Sequence, residues 1–141
     1  MTIQTALNSY LLTQSTITAI VAAEVYQGFA PEGATLPRIV FSRVSRQAFD
    51  HLGGASGLVR SRVQIDSYAT TPDAAQTLAE AIRATLHGYS GSMGSEALIV
   101  RSSTIGDQRS KFIDPIDASS VGVFLESQDF MIAHHETIPT F

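Results

Sequence analysis

The residues able to do chemistry are few and poorly placed for it. In 141 residues there is no cysteine, which removes disulfides, thiolate metal sites and cysteine nucleophiles together. His134-His135-Glu136 has the residue types of a metal site, but adjacent residues of a strand point to opposite faces and cannot close on one ion. Asp114 and Asp117 flank Pro115-Ile116; a Ca²⁺ site takes about six to eight oxygens around an organised glycine turn, and neither is spelled out, so a solvated acidic loop is expected. Gly53-Gly54-Ala55-Ser56-Gly57 has the composition of a phosphate-cradling loop, yet no Lys follows it and it leads into an extended segment, not a helix N-terminus. Ser, His and Asp are present without a Gly-x-Ser-x-Gly elbow. These patterns predict no catalytic, cofactor-binding or metal-binding residues, and a chain that is not an enzyme.

The basic residues offer more. They number 9, against 13 acidic ones, for a net charge of −4, and charged residues make up 16% of the chain, below the ~25% usual for soluble domains. That balance argues against a polybasic nucleic-acid surface. All the basic residues except Lys111 are arginines: Arg38, Arg43, Arg46, Arg60, Arg62, Arg83, Arg101 and Arg109. Guanidinium groups form planar paired contacts and are less strongly hydrated than ammonium groups, which suits ion pairs between subunits as well as a plain compositional bias.

The elements that must position these residues follow from periodicity. Ile3, Ala6, Leu7, Tyr10 and Leu11 form an apolar helical stripe with Thr2 as cap, predicting a helix over residues 2–13. The pattern restarts at Ser15 with Ile17, Ile20 and Val21, predicting a short second helical turn before a brief extended piece at Val25-Tyr26. Gly28, Pro31, Gly33 and Pro37 punctuate a loop. Residues 38–49 read as a strand. Residues 58–69 alternate strictly: Val59, Ser61, Val63, Ile65 and Ser67 share one face, and Arg60, Arg62, Gln64, Asp66 and Tyr68 the other. Together they predict an antiparallel hairpin with a long glycine-rich loop over residues 50–57 that is mobile until assembly. Thr71-Pro72-Asp73 starts a helix carrying Ala75, Leu78, Ala79, Ile82 and Leu86, closed by Gly88. A strand over 97–105, a polar connection over 106–120 and a strand over 121–135 complete the count.

The expected fold is α+β: a four-stranded, mostly antiparallel sheet with two main helices packed on one face and a long β-hairpin loop. Residues 1–135 form a single domain and 136–141 a C-terminal tail. The other sheet face is left uncovered and polar. Arg43, Arg46, Arg60 and Arg62, with His51, Leu52, Gly53 and Gly54 of the loop and Gln64 and Asp66 of the strand, make the candidate assembly interface. No stretch approaches the ~18 apolar residues of a membrane span, and the N-terminus lacks a basic signal-peptide region; a soluble product without a membrane partner is expected.

Several runs together carry a family likeness. They are Val25-Tyr26-Gln27-Gly28-Phe29-Ala30-Pro31-Glu32-Gly33-Ala34-Thr35-Leu36-Pro37, continuing into Arg38-Ile39-Val40-Phe41; Arg60-Ser61-Arg62-Val63-Gln64-Ile65-Asp66; Ala74-Ala75-Gln76-Thr77-Leu78-Ala79-Glu80-Ala81-Ile82-Arg83; and Asp129-Phe130-Met131-Ile132. In this order the chain resembles the small phage tail completion proteins, also called tail terminator or tail-to-head joining proteins, over nearly its whole length. It departs from their pattern over residues 110–120 and at Ala133-His134-His135, which replaces an aromatic-rich ending. The resemblance implies a non-enzymatic virion component, made in the host cytoplasm and carried in the tail or neck. It implies self-association into a ring, commonly a hexamer, on the head-proximal end of the tail tube. The implied partners are the major tail tube protein and a head connector or stopper, with DNA passing through the ring and no specific nucleic-acid binding. The alternatives are another neck or tail protein, such as a head-completion stopper or a tube subunit, and a small ligand-binding or enzymatic α+β domain.

Overall fold

The computed structural model describes residues 2–31, 34–94, 98–113 and 122–138, without the side chains of His51, Ala55 and Ser102. Thr2 caps the first helix by accepting a hydrogen bond from the Thr5 amide at 3.2 Å. Helix α1 (Ile3–Thr13) buries Ile3, Ala6, Leu7 and Leu11 on one side. Gln14 turns extended, at φ −85° and ψ 111°, so α2 (Ser15–Val21) begins as a separate helix burying Ile17 and Val21. After β1 (Val25–Gln27) and β2 (Arg38–His51), the chain turns at Leu52-Gly53 into β3 (Gly54–Ala69).

Thr71 then accepts from the Ala74 amide at 3.2 Å, Pro72 takes the position where no N–H is needed, and α3 (Pro72–Leu86) runs to a left-handed Gly88 at φ +84°. Strands β4 (Gly91–Met93), β5 (Leu98–Ile113) and β6 (Val123–His135) follow.

Among the described residues the sheet has six strands in the order β1-β2-β3-β6-β5-β4. Every neighbouring pair is antiparallel except β1 with β2. The core lies on one face. Ile39, Phe41, Val63, Ile65, Val100, Phe130 and Ile132 from the sheet meet Ile3, Leu7, Leu11, Ile17, Leu78, Ile82 and Leu86 from the helices. One buried polar contact ties the layers: Gln128 donates to the Ala79 carbonyl of α3 at 3.0 Å.

Three expectations are corrected. Among the described residues the sheet has six strands, not four: the brief extended piece at Val25-Tyr26 joins it as β1, and β4, at three residues, is too short to show alternation. The hairpin has no long loop over 50–57. Its ladder continues through Asp50↔Ala55 and His51↔Gly54, and a register shift after Phe49 absorbs Ser56 and Gly57. Positive φ at Gly54 (+126°) lets the chain enter the ladder straight from the turn, and positive φ at Gly57 (+76°) accommodates the bulge that returns it to register at Leu58. Finally, 106–113 is strand and not connection: a bulge between Ile105 and Asp107 takes up Gly106, and pairing with β6 resumes at Asp107↔Asp129.

The parity of the central strands predicts sharply different costs for two substitutions. Ile65 is fully buried, and Ile65→Ala is expected to lower unfolding free energy by about 2–5 kcal/mol. Thr104 is exposed on the other face, opposite Met131, and Thr104→Ala is expected to change it by less than about 0.5 kcal/mol. Urea denaturation of both variants measures the difference.

Candidate assembly interface

The face of the sheet turned away from the helices is organised by one carboxylate. Asp129 projects from β6 with its side chain only 4% exposed, beneath two arginines that are 46% and 47% exposed. Arg62 of β3 donates to Asp129 Oδ2 at 2.7 Å, and Arg109 of β5 donates to the same oxygen at 3.2 Å. Arg109 also reaches Asp107 at 2.7 Å and the Ser127 hydroxyl at 3.2 Å. Burial pushes the Asp129 carboxyl up, but the hydrogen bonds from Arg109 and Arg62 outweigh it and hold it below the usual carboxylate range. Around this centre Gln64 donates to Asp66 at 3.1 Å. The Arg38 guanidinium lies 4.9 Å from the centre of the Tyr68 ring, and that of Arg60 lies 5.3 Å from Phe49. The result is a polar surface whose charges are paired within the chain.

A second polar group sits on the helix side of the sheet. Ser61 and the His134 ring share a hydrogen bond of 2.8 Å, both fully buried. Among the described residues no carboxylate bonds to His134 Nδ1, so this serine–histidine pair lacks the group that would orient a catalytic base, and burial shuts out substrate. Burial pushes the His134 pKa down, against the backbone hydrogen bond with His135 and the charge of Glu136. Glu136 accepts from Arg46 Nε at 3.2 Å and from its Nη2, while Arg43 stands 3.9 Å away. The Glu136 amide donates to the Gly57 carbonyl at 2.7 Å. Hydrogen bonds from Arg46 hold the Glu136 carboxyl below its usual range, with burial opposing.

The sequence-predicted residues therefore divide. Arg60, Arg62, Gln64 and Asp66 lie together on the open face. Arg43 and Arg46 do not join them: they stand opposite Val63 and Ser61, on the helix side, Arg43 in plain alternation with Ile39 and Phe41, and Arg46 because the bulge at Val44 shifts the side-chain alternation by one. Leu52, Gly53 and Gly54 form the hairpin tip, with Leu52 fully exposed. The His51 side chain, Asp114 and Asp117 lie outside the described residues. His134 and His135 do face opposite ways, His135 accepting from Arg101 Nε at 2.8 Å. Among the described residues no group of three or more His, Asp or Glu could hold a metal ion, and no helix is long and apolar enough to cross a membrane.

Sequence reasoning missed Asp107, Arg109 and Ser127 as members of the centre, and quoted Asp129 without a role. The signal was the charged alternation Asp107-x-Arg109-x-Lys111, running to Phe112-Ile113 without a proline.

Taken together, the three helices described on one side of a mostly antiparallel sheet, with a polar surface on the other, define an α+β domain with one open sheet face. The family described as "Tail completion protein gp17" matches residues 5–109. Among curated proteins no match is found. A chain of a solved structure, "Virion of native gene transfer agent (GTA) particle", is similar with a TM-score of 0.66 at 17% identity, covering 95% of each chain; this likeness concerns the fold. The chain belongs to the phage tail completion family, and is thus a tail structural protein of the virion, in contact with other virion components.

Acid should unfold the domain in two stages. The depressed folded-state pKa of His134 means the unfolded chain binds more protons, so stability declines as pH falls below the usual histidine range. Asp129 and Glu136 contribute stability above the usual carboxylate range, lost as pH falls through their lowered folded values. Thermal unfolding across pH is expected to lose the first stage in His134→Gln and to have a weaker second stage in Asp129→Asn.

Proposed function

We propose that copies of this chain assemble as a ring on the head-proximal end of the tail tube, end its growth and join the tail to the head connector. The observation that supports this best is the family match over residues 5–109. It is accompanied by a full sheet face that the described residues leave uncovered yet hold rigid through Arg62, Asp129 and Arg109. A surface fixed before binding loses less entropy on docking than a mobile one. Its partners are further copies of the chain, the major tail tube protein and the connector or stopper. The interface takes in Arg60, Arg62, Gln64 and Asp66 of the open face, and Leu52, Gly53 and Gly54 of the hairpin tip. Arg43 and Arg46, drawn onto Glu136, hold the hairpin base and the C-terminal segment together.

DNA passing through such a ring must not be trapped. Phosphate affinity grows with the number of cations free to displace counterions. Here Arg46, Arg62 and Arg109 already pair with carboxylates, and the net charge is −4. The protein performs no turnover in this role; tails fail by length or by joining, not by loss of a chemical step.

The reading is tested with purified tail tubes and negative-stain imaging. Labelled protein is expected at one end of each tube only, and tubes grown without it are expected to have uncontrolled length. Decoration along the walls would make it a tube subunit instead. Arg60→Glu is expected to leave the melting temperature within a degree or two, since Arg60 is exposed and lies over the Phe49 ring, yet to reduce end occupancy at least tenfold through a desolvated interfacial charge. Arg62→Glu is a poorer probe, because it sets a second carboxylate against Asp129 inside the same chain.

A further inference from the structure

The two side edges of the sheet are stepped, and the steps are complementary. On one side β1 covers β2 only through Val25↔Ile39, Tyr26↔Val40 and Gln27↔Phe41, with the Gly28 amide closing on the Phe41 carbonyl at 2.8 Å. Among the described residues, nothing pairs with the outer edge of β2 over residues 43–51. On the other side β4 covers β5 only through Gly91↔Val100, Ser92↔Ile99 and Met93↔Leu98. The end of α3 covers the next stretch, where Gly88 donates to the Ser103 carbonyl at 2.7 Å and the Ile105 amide to His87 at 3.1 Å. Among the described residues, no strand covers the outer edge of β5 over residues 107–113. Open edges of this length recruit another strand.

The registers set the height of each step. Phe41 pairs with Ile65, Ile65 with Gln128 and Gln128 with Gln108, so β1 protrudes at the level where the β5 side is recessed. Ala48 pairs with Val59, Val59 with His134 and His134 with Val100, so β4 protrudes at the level where the β2 side is recessed. Directions agree as well. Since β2, β3, β6 and β5 alternate, β5 runs opposite to β1 and β2, and β4 runs with them. A rotation about an axis along the strands preserves these directions.

We propose that the partner at each edge is a second copy of this chain. The β1 strand of one copy seats antiparallel against residues 107–113 of its neighbour, and the neighbour's β4 seats parallel against residues 43–51. The exposed apolar side chains support this occupant. Phe29, Val44 and Leu52 stand on the β2 side and Ile99, Phe112 and Ile113 on the β5 side. Joining unlike edges buries both sets and leaves neither edge free, the heterologous pattern that closes into a ring. The contact is made by the edges, so the open sheet face stays uncovered by the neighbouring copies. This rests on the self-assembly part of the reading above, and it names the surface that carries it.

Cysteine cross-linking tests the proposal cleanly, because the chain has no cysteine of its own. Gln27 and Gln108 are exposed, at one level and on the same side of the sheet. The double variant Gln27→Cys/Gln108→Cys, and Gln27→Cys/Ser110→Cys to allow a two-residue shift of register, are oxidised while bound to tail tubes. A non-reducing ladder of multimers is expected, with mixed single variants giving Gln27–Gln108 heterodimers in at least tenfold excess over homodimers. A pairing of Gln27→Cys with Ala84→Cys on the outer side of α3 is expected to stay monomeric. In the unmodified protein, amide exchange at residues 43–51 and 107–113 is expected to slow at least tenfold on assembly. Homodimers through Gln27 alone, or edge amides that exchange as fast on tubes as in the free chain, would overturn the interlock. A ladder formed by protein that does not sit at tube ends would instead overturn the capping reading and leave the interlock standing.

Discussion

Everything in this domain depends on the side-chain parity of β3. Its residues Val59, Ser61, Val63, Ile65 and Ser67 are all buried against the helical layer, and the residues between them all point away. Because β3 is paired along most of its length on both sides, that parity is imposed on β2 and β6 through the ladder. A slip of one residue would turn Val63 and Ile65 into water and Arg62 into the core. The apolar cost of that slip pins the register, and the register in turn decides which polar residues can meet.

Asp129 shows the consequence. A carboxylate that is 4% exposed is costly unless it is paired. Arg62 comes from the strand on one side and Arg109 from the strand on the other, so the ion cluster fastens β3, β6 and β5 across the open face. On the opposite face Gln128 reaches the α3 backbone. Adjacent residues of β6 thus perform unlike tasks, one finishing an exterior surface and the next anchoring the helical layer. A polar exterior fixed by charge pairing is a defined surface, as a structural protein in contact with other virion components requires.

Bulges carry most of what distinguishes this sheet from a regular one. The shift at Val44 moves Arg46 to the helix side, where Glu136 takes it up and brings the C-terminal segment against the hairpin. The shift at Gly106 restores pairing beyond Ile105 and delivers Arg109 to the open face. In both cases one extra residue changes which face receives an arginine.

From the sequence alone, the helices and the parity of the central strand were legible, because both are local. Thr71-Pro72-Asp73 with the apolar spacing of α3, the Thr2 cap with the stripe of α1, and the strict alternation of residues 58–69 are encoded within a few residues of one another. So was the opposite orientation of His134 and His135, which needs only a strand. The ordered runs from Val25 to Ile132 also carried the family. The tertiary structure decided the rest. Whether Gly54 and Gly57 open a loop or bend a continuing strand depends on β2 lying opposite. Whether 106–113 is connection or strand depends on β6, since that stretch has little apolar alternation of its own. The partner of Asp129 depends on two strands distant in the chain. A strand of three residues such as β4 carries no periodic signal, and the extended piece at Val25-Tyr26 becomes a strand of the sheet only because β2 supplies its hydrogen bonds.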